Sequence, residues 1–280
     1  MKPLFSIFLM MISLNVFSQS YLIMENGIII TTDKSGYAYD LGHYAYPQKV
    51  TLRGGQYFVE EGNILATIDE NGLLFRKYEQ IPQKITGKGI NYFISDDGVV
   101  YTINENGYLR IFESKMFKSA VNFGGNYFTV VNKDNENSSK LDMFVVNSKG
   151  EVLQVEAPGL NIQEIVYFGG NYFMNNRGFV FTVSTDGNVS HQKGLRVGII
   201  QKRGGNFFVD SSGYFFTVSD NGDLLIPELP SSMKTNTILR LGSNYFIDQA
   251  GKFFIVNKDG MVLEKIMQDH DFRRAEIISL

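Results

Sequence analysis

The residues that first invite a catalytic reading are two pairs of adjacent carboxylates, Glu60-Glu61 and Asp96-Asp97, since paired acids can divide general acid and base work in glycoside cleavage. Both pairs fall at the turn between first and second strands and read as solvated turns, so no catalytic residue is assigned. Histidine is sparse: His43, His191 and His270 are far apart in the chain and fall in different repeats of it, which argues against a His-based metal site. Cysteine is absent, so no disulfide, thiolate metal site or cysteine nucleophile exists. Asp69-Glu70-Asn71-Gly72, Asn104-Glu105-Asn106-Gly107 and Ser219-Asp220-Asn221-Gly222 resemble calcium loops in part. They lack the spaced run of oxygen ligands and the bidentate acid, and read as hairpin turns. The Gly-Gly-Asn-Tyr segments have no following lysine or helix start, so they too read as turns, and neither a metal nor a cofactor is assigned.

Binding chemistry is better placed. Arg53, Lys88 and Arg203 occupy the same position in three repeats, just ahead of a small-residue pair. Together they would give a cationic rim to an anionic or glycan ligand, with Gln56 and the repeated asparagines lining the same mouth and bonding backbone there. The hydrophilic segment 132–140 has no counterpart in the other repeats, and its Lys133, Asp134, Asn135 and Glu136 are a candidate partner-contacting loop. Net charge is −3, with the 26 basic residues scattered, which leaves no basic face for nucleic acid.

The elements that must position these residues come from a repeat. Tyr57-Phe58 recurs as Tyr92-Phe93, Tyr127-Phe128, Tyr172-Phe173, Phe207-Phe208 and Tyr245-Phe246, with Tyr21-Leu22 as a weaker first copy, at spacings of 36, 35, 35, 45, 35 and 38 residues. A small pair and an asparagine precede most copies. Glycines follow at two fixed offsets, as in Gly213 and Gly222, each after a short run of Asp, Asn or Ser. Such turns give antiparallel hairpins, because glycine takes the positive φ and the short polar side chain bonds its own backbone. Each repeat is therefore one four-stranded meander. Strands such as 214–218 and 253–256 are apolar on both sides and need cover on both faces. Blades wedged between neighbours in a ring supply that cover, whereas a two-layer sandwich would leave wet outer faces.

The fold class expected is all-β, a seven-bladed β-propeller of four-stranded antiparallel blades, with blades near 19–53, 54–88, 89–123, 124–168, 169–203, 204–241 and 242–280. In this division residues 275–280 form the outer strand of the last blade. The ring then closes by face packing between first and last blades, without an exchanged strand. The pattern Tyr-Phe-Ile/Val, turn-Gly, aromatic-rich strand, turn-Gly over residues 19–280 resembles the short-blade propellers of bacterial exported proteins, loosely those of NHL and quinoprotein type. The chain has no tryptophan, so the quinoprotein cofactor is not implied, and the NHL Asn-Arg signature is missing.

The first 18 residues read as a signal peptide: Lys2, an apolar run over 4–16, and a Val16-Phe17-Ser18 cleavage site. The apolar run is too short for a comfortable membrane span, which leaves no span after cleavage and a periplasmic or secreted protein beginning at Gln19. The expectation is a non-enzymatic binding or scaffold protein that recognises a protein or glycan ligand at the propeller mouth. The alternative is a propeller hydrolase or lyase acting on sugars or lactones.

Overall fold

The computed structural model describes residues 20–42, 47, 49–132, 140–156, 160–193, 195, 197–267, 270, 272 and 275–276. They form seven four-stranded antiparallel sheets arranged as a seven-bladed β-propeller. The signal segment, His43 and the candidate loop residues Lys133, Asp134, Asn135 and Glu136 lie outside the described residues. Among the described residues no helix is long and apolar enough to cross a membrane.

One blade shows how the sequence builds them all. Val50–Arg53 turns through Gly54, Gly55 and Gln56 into Tyr57–Glu60, which pairs in turn with Ile64–Ile68 and Leu74–Tyr78. The two middle strands are buried almost throughout, and the outer two are half-exposed. The remaining blades span 85–113, 120–155, 165–191, 200–225 and 238–265, and the blade over 21–40 is completed from the C-terminus.

Two expectations are corrected here. Each sheet starts one strand before the expected repeat boundary: Ile238–Leu241, placed at the end of the expected blade 204–241, pairs with Tyr245–Asp248 across the three-residue turn Gly242-Ser243-Asn244. A turn that short makes adjacent strands pair, whereas the preceding connection from Leu224–Leu225 is long. The same shift overturns the expected closure. Tyr21–Met24 lacks a described strand ahead of it, and Ala275–Glu276 takes that place, with Ile23 opposite Glu276 and Met24 opposite Ala275. The ring is closed by an exchanged strand as well as by face packing of Leu22, Met24, Ile28 and Ile30 on Tyr245, Ile247, Phe253 and Ile255.

The recurrent tyrosine welds neighbouring blades. Its hydroxyl donates to the backbone carbonyl of its counterpart one blade on: Tyr21 to Tyr57, Tyr57 to Tyr92, Tyr92 to Tyr127, Tyr127 to Tyr172, Tyr172 to Phe207, and Tyr245 back to Tyr21, at 2.7–3.2 Å. Each of these rings is buried, so each bond is made out of water, where an unmade one is costly. Phe207 breaks the circle because it has no hydroxyl to send to Tyr245. Phe207→Tyr is expected to complete it and add about 1 kcal/mol, raising the melting temperature by about 2–4 °C. Differential scanning calorimetry checks this, and a lower melting temperature would mean the hydroxyl finds no room.

Candidate functional site

Two turns of every blade meet at the axis. The second residue of each small pair bonds its neighbour, as in Ser20 N–H to Gly55 O (2.7 Å), Gly125 N–H to Gly170 O (2.8 Å) and Gly205 N–H to Ser243 O (2.9 Å). Beside this circle runs a second one, unbroken, made by the turns between third and fourth strands. The amides of Lys34, Glu70, Glu105, Ser148, Thr185, Asp220 and Lys258 each donate to the carbonyl of the next member, and Lys258 returns to Lys34, at 2.7–3.2 Å throughout. The backbone is thus nearly sevenfold while the side chains it presents are all but unrelated.

These turns are held open by their own side chains. Asp69 Oδ1 accepts from the amides of Asn71 (2.9 Å) and Leu73 (2.8 Å), and Asp33, Asn104, Asn147 and Asn257 make the same bond to the amide four residues on. The calcium-like motifs are therefore hairpin turns, as their spacing implied. Among the described residues no three His, Cys, Asp or Glu side chains gather as a metal-holding group.

Inside the circles is a cavity of about 130 Å³ to which all seven blades contribute. Its lining holds five carboxylates (Asp33, Asp69, Glu70, Glu105, Asp220) and two lysines (Lys34, Lys258), a formal balance of −3. Lys34 is shared between Glu70 (3.6 Å) and Asp220 (3.3 Å). Asn91, Asn126, Asn171, Asn206 and Asn244 also line the cavity. Where the amide nitrogen bonds, it reaches the next blade's backbone: Asn91 Nδ2 to Val146 O (3.3 Å), Asn206 Nδ2 to Val256 O (3.4 Å) and Asn244 Nδ2 to Asp33 O (3.0 Å). Asn244 Oδ1 accepts from the Thr32 hydroxyl at 2.6 Å. In the four preceding blades the position of Thr32 is taken by Val146, Val183, Val218 and Val256. There the oxygens of Asn91, Asn126, Asn171 and Asn206 are shielded from solvent with no hydrogen-bond partner.

Of the four residues expected at the rim, Gln56 lines this cavity, and Arg53, Lys88 and Arg203 do not. Arg53 is buried beside the Tyr21 and Tyr245 hydroxyls, where burial pushes both phenols up and its charge partly opposes the rise. Arg203 Nη1 reaches Phe168 O at 3.5 Å, and burial lowers the pKa of the Lys88 ammonium. The carboxylate pairs lie elsewhere. Glu60 is buried and ion-paired with Arg76 (2.9 Å), Asp96 faces Lys84 (3.8 Å), and Asp97 accepts from the Ser95 hydroxyl. The two described histidines have separate partners: His191 stacks on Phe181, and His270 meets Asp40 at 2.9 Å.

The axial residues from Lys34 to Lys258 were missed as candidates in the sequence, although each stands two places before the second repeat glycine. One place after that glycine is a further ring, Tyr37, Leu73, Tyr108, Glu151, Asn188, Asp223 and Met261, three residues from the cavity lining. It is divided. Met261, Tyr37, Leu73 and Tyr108, on four consecutive blades across the closure, are 51–67% exposed, and the other three blades carry Glu151, Asn188 and Asp223. Lys265 sits over the Tyr37 ring at 4.8 Å.

No family model matches the chain, and no curated protein matches it. Among solved structures it is similar to virginiamycin B lyase from Staphylococcus aureus, at 13% identity and a TM-score of 0.32, over 79% of this chain and 84% of that one. The extracellular domain of the putative one component system BT4673 from B. thetaiotaomicron aligns at 13% identity and a TM-score of 0.30, over 88% of this chain. PorZ, a surface component of the type-IX secretion system of Porphyromonas gingivalis, aligns at 11% and 0.30, over 76% of this chain. The chain spans 38% and 32% of the length of the latter two.

Proposed function

We propose that the protein is an exported, non-enzymatic binding or scaffold module whose axial mouth, Gln56 included, receives a protein ligand bearing apolar and basic side chains. The observation that carries this reading is the division of the mouth. A backbone that repeats seven times displays a contiguous apolar arc over four blades and an acidic, amide-rich arc over three. Exposed Tyr, Leu and Met in one patch have the composition of a protein contact, and the surplus of carboxylates in the cavity favours Lys or Arg in the partner. Export rests on the segment 1–18, whose cleavage after Ser18 leaves Gln19 first.

The test uses the mature protein from Gln19, an arrayed peptide set graded in basic and aromatic content, and an arrayed glycan set. Retention of basic, aromatic-containing peptides is expected, with affinity falling about tenfold or more in Tyr37→Ser/Leu73→Ser/Tyr108→Ser. These side chains are exposed, so the variant should melt close to wild type. Retention of glycans alone, or peptide binding unchanged by the triple substitution, would rule the reading out.

A further inference from the structure

We infer that the axial cavity contains a seat for one primary ammonium group, held by the chain's own Lys34 and yielded to a lysine side chain of a partner. Five carboxylates line the cavity, but Asp33 and Asp69 are committed to their own turns, which leaves Glu70, Glu105 and Asp220 to meet a cation. Lys34 Nζ lies 3.6 Å from Glu70 Oε2 and 3.3 Å from Asp220 Oδ2. Glu70 is its neighbour in the circle of amides, where Lys34 N–H donates to Glu70 O at 3.2 Å. Asp220 is not. Its N–H donates to Lys258 O, and Lys258 N–H donates to Lys34 O, so a whole blade lies between them. Lys258, on that blade, lines the same cavity and makes no ion pair among the described residues. The Lys34 stem thus passes the nearer lysine and brings its ammonium between the carboxylates of two blades that are not adjacent.

The resident fits its seat loosely. A charge-assisted hydrogen bond from nitrogen to a carboxylate runs at about 2.7–2.9 Å, and both contacts are longer. The side chains of Lys34, Glu70 and Asp220 are 27%, 38% and 31% exposed, so these pairs are partly solvated and weak, and little is lost when Lys34 turns out to water. Single oxygens from two separate residues suit a compact ammonium better than the planar fork of a guanidinium. The apolar arc begins on the same two turns, since Asp33 and Asp69 bond the amides of Tyr37 and Leu73. One short segment of a partner would therefore supply both the lysine for the seat and the side chains for the arc. That the natural occupant is a partner's lysine rests on the function proposed above.

Lys34→Ala removes the resident, and n-butylammonium, a lysine side chain without its backbone, is the probe. Thermal unfolding of the mature protein is measured in n-butylammonium chloride against tetramethylammonium chloride at equal concentration, the second cation having the same charge and no N–H donor. In Lys34→Ala the first salt is expected to raise the melting temperature above the second by about 2–3 °C at roughly three times the probe's dissociation constant, and in wild type by under about 1 °C. Lys258→Ala takes the same charge from the same lining but no ion pair, and should respond like wild type. Because truncating the turn can harm folding, Lys34→Met is the second variant: it keeps the stem and removes the ammonium. Its affinity for the basic, aromatic-containing peptides should exceed that of wild type by about fivefold, against under about twofold for Lys258→Met. No response to n-butylammonium in Lys34→Ala, or equal gains in the Lys34 and Lys258 variants, would overturn the seat. A response confined to Lys34→Ala in a protein that retains no peptide would uphold the seat and contradict only the peptide ligand.

Discussion

Gly170→Ala is expected to lower the melting temperature by about 6–12 °C, the equivalent of about 3 kcal/mol, although the substitution adds one methyl group. A Cβ on Gly170 would lie 2.1 Å from Gly205 O and 2.4 Å from Gly205 Cα, both backbone atoms of the next blade. No rotamer change relieves a clash with backbone. Gly205 is itself held by its N–H to Ser243 O at 2.9 Å, so a retreat at one seam is passed around the ring. Gly62→Ala makes the control. Gly62 has φ +85° but nothing within 4 Å of its would-be Cβ, so the cost there is the conformational one, about 1 kcal/mol. Calorimetry on the two variants separates close approach from backbone conformation. Similar losses in both would mean the axis is looser than its contacts imply.

Deleting residues 275–280 is expected to cost about 2–3 kcal/mol and lower the melting temperature by about 5–10 °C. It removes the strand beside Tyr21–Met24 and leaves an unpaired edge in the one blade assembled from both ends of the chain. The ring need not open, because other links cross the same seam: Tyr245 Oη to Tyr21 O (2.9 Å), Thr32 to Asn244, and Lys258 N–H to Lys34 O (2.7 Å). A weakened but folded ring with a bare sheet edge should also self-associate. Analytical ultracentrifugation alongside the melt detects both effects, and an unchanged melt would refute the strand assignment.

The architecture was legible because its signal is redundant. Seven phased copies of an aromatic pair and two glycines fix the number of blades, and strands apolar on both faces exclude open layers. Strand partnership was less legible. Hydrophobic pattern says that residues 238–241 form a strand but not which neighbour it joins. The decisive cue was loop length, three residues on one side against a long connection on the other. The site was the least legible part. Arg53, Lys88 and Arg203 are conspicuous as cations, yet they sit before the turn and outside the cavity lining, and Arg203 reaches back to the Phe168 carbonyl of the preceding blade. The lining comes from Lys34, Glu70, Glu105 and their counterparts, which look like ordinary turn residues until the second circle of hydrogen bonds draws them to the axis. The unpaired asparagine oxygens are legible only by setting Thr32 against the four valines at its position.

The proposed mouth depends on an axial circle that closes through the junction of the first and last blades. Hydrogen exchange at the amides of Lys34, Glu70, Glu105, Ser148, Thr185, Asp220 and Lys258 measures that closure directly. All seven should exchange as slowly as the buried second-strand amides, with Lys34 and Lys258 no faster than Ser148 on the far side. Rapid exchange confined to Lys34 and Lys258 would show a ring open at its junction and would contradict the account.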